Sequence, residues 1–402
     1  MGQNQIQYSE SSQEMINAQS PPEQLPLSLV IDFGASGTKA FITDGKFVKL
    51  LFMMPEVADV PKTSIEMFEA DNFNSQSELP ENRAWVCLGQ TCKAVGFLAE
   101  NRFRASTSLT VPKFELAFFK TLSLLWVVKE KLGLSFEFSI DLSLLLPPSE
   151  YNDRSKLEDM LSGAASAFET PSGMMSVNFS NFECKPEGAG VLMYLQSQPR
   201  LKLSQRTATL VMIGYRNASL ISVRSGSVLD KVSTDLGMNY LINVIKNHVS
   251  IYIPLSVLLS VIERAGVNIL EREDESSEEQ GEIFQVLSPL VSTSTIKEVR
   301  EVQLSEIRDV IAAARNEYAS ALYSWMNPLI PFNNDLMIFC GGTAHYLSAE
   351  LRRFSDLKGF EFLQDDFLKI PNKIDSLGLK ERLTDVYCYF SFIYHKKWKR
   401  KN

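Results

Sequence analysis

The feature that most constrains the fold is a short apolar strand that ends in an aspartate and turns back through two glycines. The segment VIDFGASGTKAFI places Asp32 at the end of the strand, Gly34 and Gly37 in the turn, and Lys39 on the returning strand. Glycines let the backbone turn tightly and approach a ligand closely. Such a turn exposes successive N–H groups, which together with Lys39 would hold a phosphate group. A plain glycine-containing β-hairpin explains this segment, taken alone, equally well.

The position of Asp32 also suits a metal ion. Its carboxylate would face the same pocket as the turn. Mg²⁺ prefers oxygen ligands and keeps several of its waters, so Asp32 is predicted to hold Mg²⁺ through water.

A second strand-to-glycine unit lies about three hundred residues further on. In LMIFCGGTAHYLSAEL a buried strand is followed by Gly341 and Gly342 at the start of a helix. Without side chains at these positions, a flat base or ribose can lie against the backbone, and Tyr346 can pack against the ring. Two such units far apart in the chain suit a ligand held in a cleft between two domains.

Length and charge agree with this arrangement. A chain of 402 residues with 45% apolar residues exceeds the size at which a single core keeps growing, which predicts two domains. The net charge of -8 argues against broad attraction to DNA, so any contact with nucleic acid is expected to be indirect.

The cysteines and histidines exclude several chemistries. The five cysteines form no paired Cys-x-x-Cys pattern, which favours buried thiols in a reducing, cytoplasmic setting. The three histidines are far apart, which leaves little for a histidine metal site or a Ser-His-Asp relay.

No apolar stretch reaches the length of a membrane span, because Lys120 interrupts the most hydrophobic helix.

Three polar regions are predicted to lack packed structure. Residues 1–26 are rich in Gln, Ser, Asn and Glu and are expected to be a disordered arm. Residues Glu271 to Glu282 are strongly acidic and are expected to form a solvated loop. The basic C-terminal segment HKKWKRKN is expected to be a solvated tail.

The two glycine units together resemble the first phosphate motif and the adenosine motif of the actin, Hsp70 and sugar-kinase superfamily, with actins as the closest match. The first motif of that family runs Asp-x-Gly with a Lys seven positions after the Asp, as in this chain. The segments AVGFLAE, LLPPSEYNDRSKLEDML, KPEGAGVLMYL, IGYRNASLISV and ERLTDVYCYFSFI resemble the ParM/StbA branch of bacterial plasmid-segregation actins. The likeness extends from about Leu27 to His395.

This resemblance implies an α/β, two-domain actin-like fold with a nucleotide cleft between the domains. The implied organisation is an arm at 1–26, domain I at 27–203, domain II at 204–365, and a C-terminal return to domain I with a basic tail at 366–402. The implied ligands are ATP (or GTP) and Mg²⁺. The implied nucleotide-binding residues are Gly34, Ser36, Gly37, Thr38, Lys39, Gly214, Asp235, Gly237, Gly341, Gly342, Thr343 and Tyr346. Ordinary helix capping explains Asp235 and Gly237 equally well.

The likeness also assigns a catalytic role to Glu187, together with Asp32. In KPEGAG, Glu187 stands where ParM-like proteins carry the glutamate that orients or deprotonates the water attacking the γ-phosphate. A carboxylate can do this within hydrogen-bond reach of the water. From the residues alone, a polar side chain in a Pro/Gly turn is the simpler interpretation.

One position departs from the family pattern. The second phosphate motif should carry an Asp two positions before Gly214, and this chain has Met212 there. A methionine cannot organise water around Mg²⁺. We therefore expect either slow ATP hydrolysis, with Asp32 alone at the metal shell, or nucleotide binding without turnover.

The resemblance implies a cytoplasmic protein whose ATP-bound copies stack head to tail into filaments, for plasmid segregation through a DNA-bound adaptor and without a membrane. The alternative is a catalytically weakened, non-filamentous scaffold whose nucleotide state controls a partner. A small-molecule kinase would need a second pocket with its own catalytic Asp, for which the sequence offers no convincing candidate.

Overall fold

The computed structural model of the protein describes residues 27–71, 78–106, 111–249, 253–270, 276–291, 296–364 and 367–398. The predicted arm at 1–26 lies outside these residues. The described chain is a mixed α/β structure built on two β-sheets, which confirms the predicted fold class.

The strands are β1 Leu27–Gly34, β2 Gly37–Thr43, β3 Val48–Met53, β4 Val57–Val60, β5 Trp85–Leu88, β6 Thr91–Val95, β7 Glu137–Leu146, β8 Phe168–Thr170, β9 Gly173–Pro186, β10 Thr207–Ile213, β11 Ala218–Arg224, β12 Ser227–Thr234, β13 Leu336–Cys340 and β14 Glu361–Leu363. The helices are α1 Lys62–Asp71, α2 Phe97–Asn101, α3 Lys113–Leu132, α4 Arg154–Ala165, α5 Ala189–Gln196, α6 Met238–His248, α7 Leu255–Ala265, α8 Ser277–Leu287, α9 Lys297–Met326, α10 Gly342–Tyr346, α11 Ser348–Lys358 and α12 Thr384–Lys397.

The two sheets share one strand pattern. The larger has the order β3-β2-β1-β7-β9-β8-β5-β6-β4 and the smaller the order β12-β11-β10-β13-β14. In each, three antiparallel strands are followed by parallel ones, so that β1 pairs with β7 as β10 pairs with β13. The hairpin turns β1–β2 and β10–β11 therefore occupy equivalent positions in the two sheets.

Helix α3 shows why the apolar pattern of this region forms a core element. Residues along most of its length are buried against the large sheet, and Gly133 ends it in the left-handed conformation with a φ of 63°. Glycine adopts this conformation without the steric cost of a Cβ atom. None of the helices in the described ranges has the length and apolar character that crossing a membrane requires.

Helix α12 returns the chain to the first sheet. It packs against β1, β2 and α5, with Tyr389 and Phe390 in a cluster that includes Val30 and Phe41. Near its end, Lys397 donates to Ser28 Oγ at 2.9 Å and pairs with Asp141. The basic segment was predicted to be a solvated tail. As far as Trp398 it instead continues α12 and packs on the first sheet, because Lys397 pairs with the Asp141 carboxylate on β7.

The acidic stretch also differs from its prediction as a loop. Helix α8 begins at Ser277 inside this stretch, and residues 271–275 lie outside the described ranges. Ser276 accepts a hydrogen bond from the Glu279 N–H, while the Glu279 side chain accepts from the Ser276 N–H. This reciprocal cap places acidic residues at the positive end of the helix, where they are stabilising.

Two of the cysteines are joined, which corrects the expectation of buried thiols throughout. Cys87 and Cys92 are paired residues of the β5–β6 hairpin and form a disulfide. Cys184, Cys340 and Cys388 remain buried thiols, as expected. The sequence did not reveal the disulfide, because four residues lie between the two cysteines and only the hairpin register places them opposite each other.

Thiol titration of the unfolded protein checks this pairing. We expect three reactive thiols when the protein is unfolded without reductant, and five after reduction. A count of five in both conditions would contradict the disulfide. The Cys87→Ser variant is the control, since it should give four thiols whether or not reductant is present.

Candidate functional site

The first predicted turn closes as a tight hairpin between β1 and β2. Gly34 pairs with Gly37, and Asp32 pairs with Lys39 across the two strands. The Lys39 Nζ lies 2.6 Å from Asp32 Oδ2, so the two predicted site residues form a largely buried ion pair. Gly37 has a φ of 142°, and a Cβ atom there would lie 2.2 Å from the Phe52 ring, so only glycine fits. Within the described ranges, the buried Thr38 hydroxyl finds no hydrogen-bond partner.

The equivalent turn of the second sheet, between β10 and β11, contacts the predicted adenosine motif at Gly341–Thr343. Gly214 follows β10, and its carbonyl oxygen accepts from Thr343 Oγ1 at 2.9 Å and from the Met238 N–H at 3.0 Å. Gly341 has a φ of 95°, and a Cβ atom there would lie 2.7 Å from the Ile213 carbonyl oxygen. The glycine at this position therefore lets two backbone segments approach each other.

The loop before α6 packs on this same turn. Asp235 accepts from Asn217 Nδ2 at 3.0 Å. Gly237 lies so close that a Cβ atom would stand 2.4 Å from the Tyr215 carbonyl oxygen. The predicted residues of the second half, from Gly214 to Thr343, are thus brought together around the β10–β11 turn.

Arg382, which was not predicted, joins the two groups. Its Nη2 donates to the Ser36 carbonyl oxygen at 2.7 Å, at the tip of the first turn. Its Cγ would lie 3.3 Å from a Cβ atom on Gly342. The tips of the two glycine units therefore meet at one side chain, although the chain separates them by about three hundred residues.

Glu187 lies in the turn between β9 and α5, beside the first motif. Its N–H donates to the Leu146 carbonyl oxygen at 2.7 Å, and its Oε1 lies 2.7 Å from Lys113 Nζ. The side chain is almost entirely buried, and this burial raises the pKa of Glu187. A buried carboxylate with a raised pKa is the kind of group that serves as a general base near neutral pH.

Asp385, at the start of α12, positions this turn. Its Oδ2 accepts from the Gly188 N–H at 2.7 Å and its Oδ1 from the Val191 N–H at 3.3 Å. Both donors stand at the N-terminus of α5, directly after Glu187. Burial raises the pKa of Asp385 to about 7. The sequence contained no local signal for this contact, because it joins positions 197 residues apart.

A small pocket of about 10 Å³ lies beside the first turn. It is lined by Phe33, Ala35, Pro55, Lys113, Leu116, Lys120 and Arg216. Arg216 extends from the β10–β11 turn and donates to the Val111 carbonyl oxygen at 2.8 Å, so it crosses from the second sheet to the start of α3. Burial and the neighbouring Lys113 lower the pKa of Lys120 to about 8. The only sequence signal for this pocket was a lysine within an apolar helix.

Tyr346 lies apart from these contacts. The Arg315 guanidinium lies 4.2 Å from the centre of its ring and donates to its carbonyl oxygen at 2.7 Å. The same arginine pairs with Glu350. The Tyr346 ring packs against the apolar cluster that includes Ile213 and Ala344, and its contact with a nucleotide base stays a prediction.

Met212 packs where the family pattern has an aspartate. It lies on β10 opposite Cys340, against an apolar cluster that includes Leu210 and Cys388. One oxygen of Asp32 already bonds Lys39, and Glu187 bonds Lys113. The described residues contain no group of three or more His, Cys, Asp or Glu side chains that could hold a metal ion. Both carboxylates beside the phosphate turn are thus held by lysines and Met212 adds none, so this donor set does not favour a magnesium ion, although Asp32 was predicted to hold one through water.

Comparison with known proteins identifies the architecture. No family model and no curated protein matches the sequence. Among solved structures, a 15-stranded ParM filament from Clostridium botulinum is similar over 91% of this chain and 98% of the ParM chain, with 13% identity and a TM-score of 0.55. For ParM of Bacillus thuringiensis with AMPPNP, the match covers 92% of this chain and 99% of the ParM chain, with 16% identity and a TM-score of 0.53. For Ta0583, an archaeal actin homologue in complex with ADP, the match covers 91% of this chain and 98% of the Ta0583 chain, with 12% identity and a TM-score of 0.53. At these identities the likeness extends to the fold alone, and the protein therefore has the two-domain actin-like fold of ParM proteins and archaeal actin homologues, as the sequence predicted.

Proposed function

We propose that the protein binds ATP (or GTP) between its two sheets and polymerises into filaments. The observation that carries this proposal is the contact of Arg382 with both glycine units, because it brings the predicted phosphate turn and the predicted adenosine turn to one place. A nucleotide bound there would have its phosphates at the first turn and its base at the second.

In this proposal the residues of the site have separate roles. The N–H groups of the first turn and Lys39 hold the phosphates, and the backbone at Gly341 and Gly342 receives the ribose or base. Glu187 orients the attacking water, and its raised pKa suits it to accept a proton. Turnover is slow because Met212 supplies no charge where the family has a carboxylate.

The filament part of the proposal rests on the fold. One of the matched structures is itself a ParM filament. A head-to-tail contact that does not close into a ring generates a filament from a single kind of chain. By the same resemblance, the filament moves or aligns plasmids through a DNA-bound adaptor, and the net charge of -8 agrees with indirect contact with DNA. We also propose that domain I ends at residue 203, that domain II runs from 204 to 365, and that the chain returns to domain I from residue 366.

Light scattering and electron microscopy test the proposal. We expect filaments with ATP or a non-hydrolysable analogue, and none without nucleotide. The Lys39→Met variant should lose nucleotide-dependent assembly, because it removes the buried cation of the phosphate turn. The matched control is Lys46→Met, since Lys46 is exposed in the next turn, and circular dichroism verifies that both variants fold. A protein that binds ATP but remains monomeric would overturn the filament proposal.

Met212 favours a second candidate, a nucleotide-dependent scaffold that neither polymerises nor hydrolyses ATP at a useful rate. Phosphate release distinguishes the two. Turnover in the natural sequence that equals turnover in the Glu187→Ala variant would favour the scaffold.

A further inference from the structure

Lys120 is a buried cation whose charge has no direct counter-ion in the described structure. It lies in the middle of α3, is 4% exposed, and forms neither a hydrogen bond nor an ion pair with any described residue. The charged side chains around Lys120 are two lysines, Lys113 and Lys39, and two carboxylates, Asp32 and Glu56. Burying a lysine in this way costs free energy unless an anion compensates it.

Two further cations share the pocket with Lys120. Lys113 is 8% exposed and Arg216 reaches the pocket from the second sheet, while no carboxylate is among the lining residues. Within the described residues, the buried Nε of Arg216 finds no hydrogen-bond partner. Lys113 already pairs with Glu187, so the lining cations without an ion pair among the described residues are Lys120 and Arg216. Their charge and the unused Arg216 Nε–H are the features that attract an anion.

The pocket adjoins the predicted phosphate turn. Phe33 and Ala35, which line it, are residues of the β1–β2 hairpin. Its volume of about 10 Å³ admits one water molecule or one phosphate oxygen. A terminal phosphate held by the turn would thus place one oxygen among the three cations.

We propose that Lys113, Lys120 and Arg216 neutralise the terminal phosphates of the nucleotide in place of a divalent metal ion, so that binding needs no Mg²⁺. This inference rests on the proposed nucleotide binding. It explains why Met212 is tolerated: side chains supply the charge that a metal ion would bring, and Met212 adds no carboxylate to Asp32 and Glu187, which already pair with Lys39 and Lys113.

Equilibrium binding of a fluorescent ATP analogue tests the inference, in excess Mg²⁺ and in EDTA. We expect the two dissociation constants to agree within about threefold, a difference of less than 1 kcal/mol. Binding that occurs only with Mg²⁺ would overturn the inference and leave the proposed function standing. Absence of binding in both conditions would overturn the proposed nucleotide binding itself.

The Lys120→Met variant separates a phosphate-binding role from a structural one. Methionine has a similar length and no charge, so the ligand-free variant should have a higher melting temperature than the natural sequence. The same variant should bind the ATP analogue in EDTA about 10- to 100-fold more weakly, the loss expected for one charge-assisted hydrogen bond.

Arg216→Gln should weaken binding in EDTA to a similar degree, whereas Arg200→Gln is the matched control because Arg200 is exposed in the turn after α5. Unchanged binding in both Lys120→Met and Arg216→Gln would contradict the inference.

Discussion

Replacing Asp385 by alanine is expected to lower the free energy of unfolding by about 2–6 kcal/mol, since two buried N–H donors lose their acceptor at about 1–3 kcal/mol each. The donors are the N–H groups of Gly188 and Val191, at the start of α5. Their loss should also loosen the turn that carries Glu187. Urea unfolding measures the change, and Asp159→Ala on the exposed side of α4 is the control, with an expected change near zero.

The pH dependence gives Asp385 a second readout. Burial raises the pKa of Asp385 to about 7, from 3.8, so the folded protein keeps a proton that the unfolded chain releases in this range. Folding then takes up a proton, and stability falls as the pH rises from about 4 to about 7. The Asp385→Asn variant cannot titrate, so the stability of the natural sequence should decline relative to this variant across that window. A constant difference between the two proteins would contradict the raised pKa.

The Glu187→Gln variant is expected to release phosphate from ATP at least about 100-fold more slowly than the natural sequence, because a positioned general base contributes about 10²–10⁴-fold. Glutamine keeps the shape and an oxygen that can accept from Lys113, which lies 2.7 Å from Glu187 in the structure. Binding of the ATP analogue should therefore change much less than turnover. Single-turnover phosphate release separates the two effects.

Glu158→Gln, on the exposed face of α4, provides the matched control for Glu187→Gln and should leave turnover unchanged. Thermal unfolding verifies that Glu187→Gln is folded under the assay conditions. Equal turnover in Glu187→Gln and the natural sequence would remove Glu187 from the proposed catalytic role.

The parts of the site that the sequence predicted well are local ones. Asp32 and Lys39 form an ion pair across a hairpin whose two-residue turn sets their register, so their spacing in the chain already determines their contact. Gly37 and Gly341 were predicted to lie where backbone turns tightly, and both adopt conformations that favour glycine. The strand-turn pattern was informative because short-range geometry decides it.

Predictions from composition alone were less successful. The acidic stretch was predicted as a loop, yet the Ser276–Glu279 cap starts a helix within it, and the charge that suggested solvation stabilises the helix end. The basic C-terminal segment was predicted as a tail, yet Lys397 pairs with Asp141 on the first sheet. In each case a specific partner outweighed the average tendency of the residues.

The sequence by itself determined the actin-like fold, because two strand-to-glycine units in the right order and a chain-long likeness constrain the architecture strongly. Only the tertiary structure decided which charges meet in the site. Lys113 reaches Glu187, Asp385 reaches Gly188, and Arg216 crosses to the pocket beside Lys120. These contacts join positions that lie far apart in the chain, and their strength depends on burial, which removes the competing water. Neither separation nor burial can be deduced from the identity of a single lysine or aspartate.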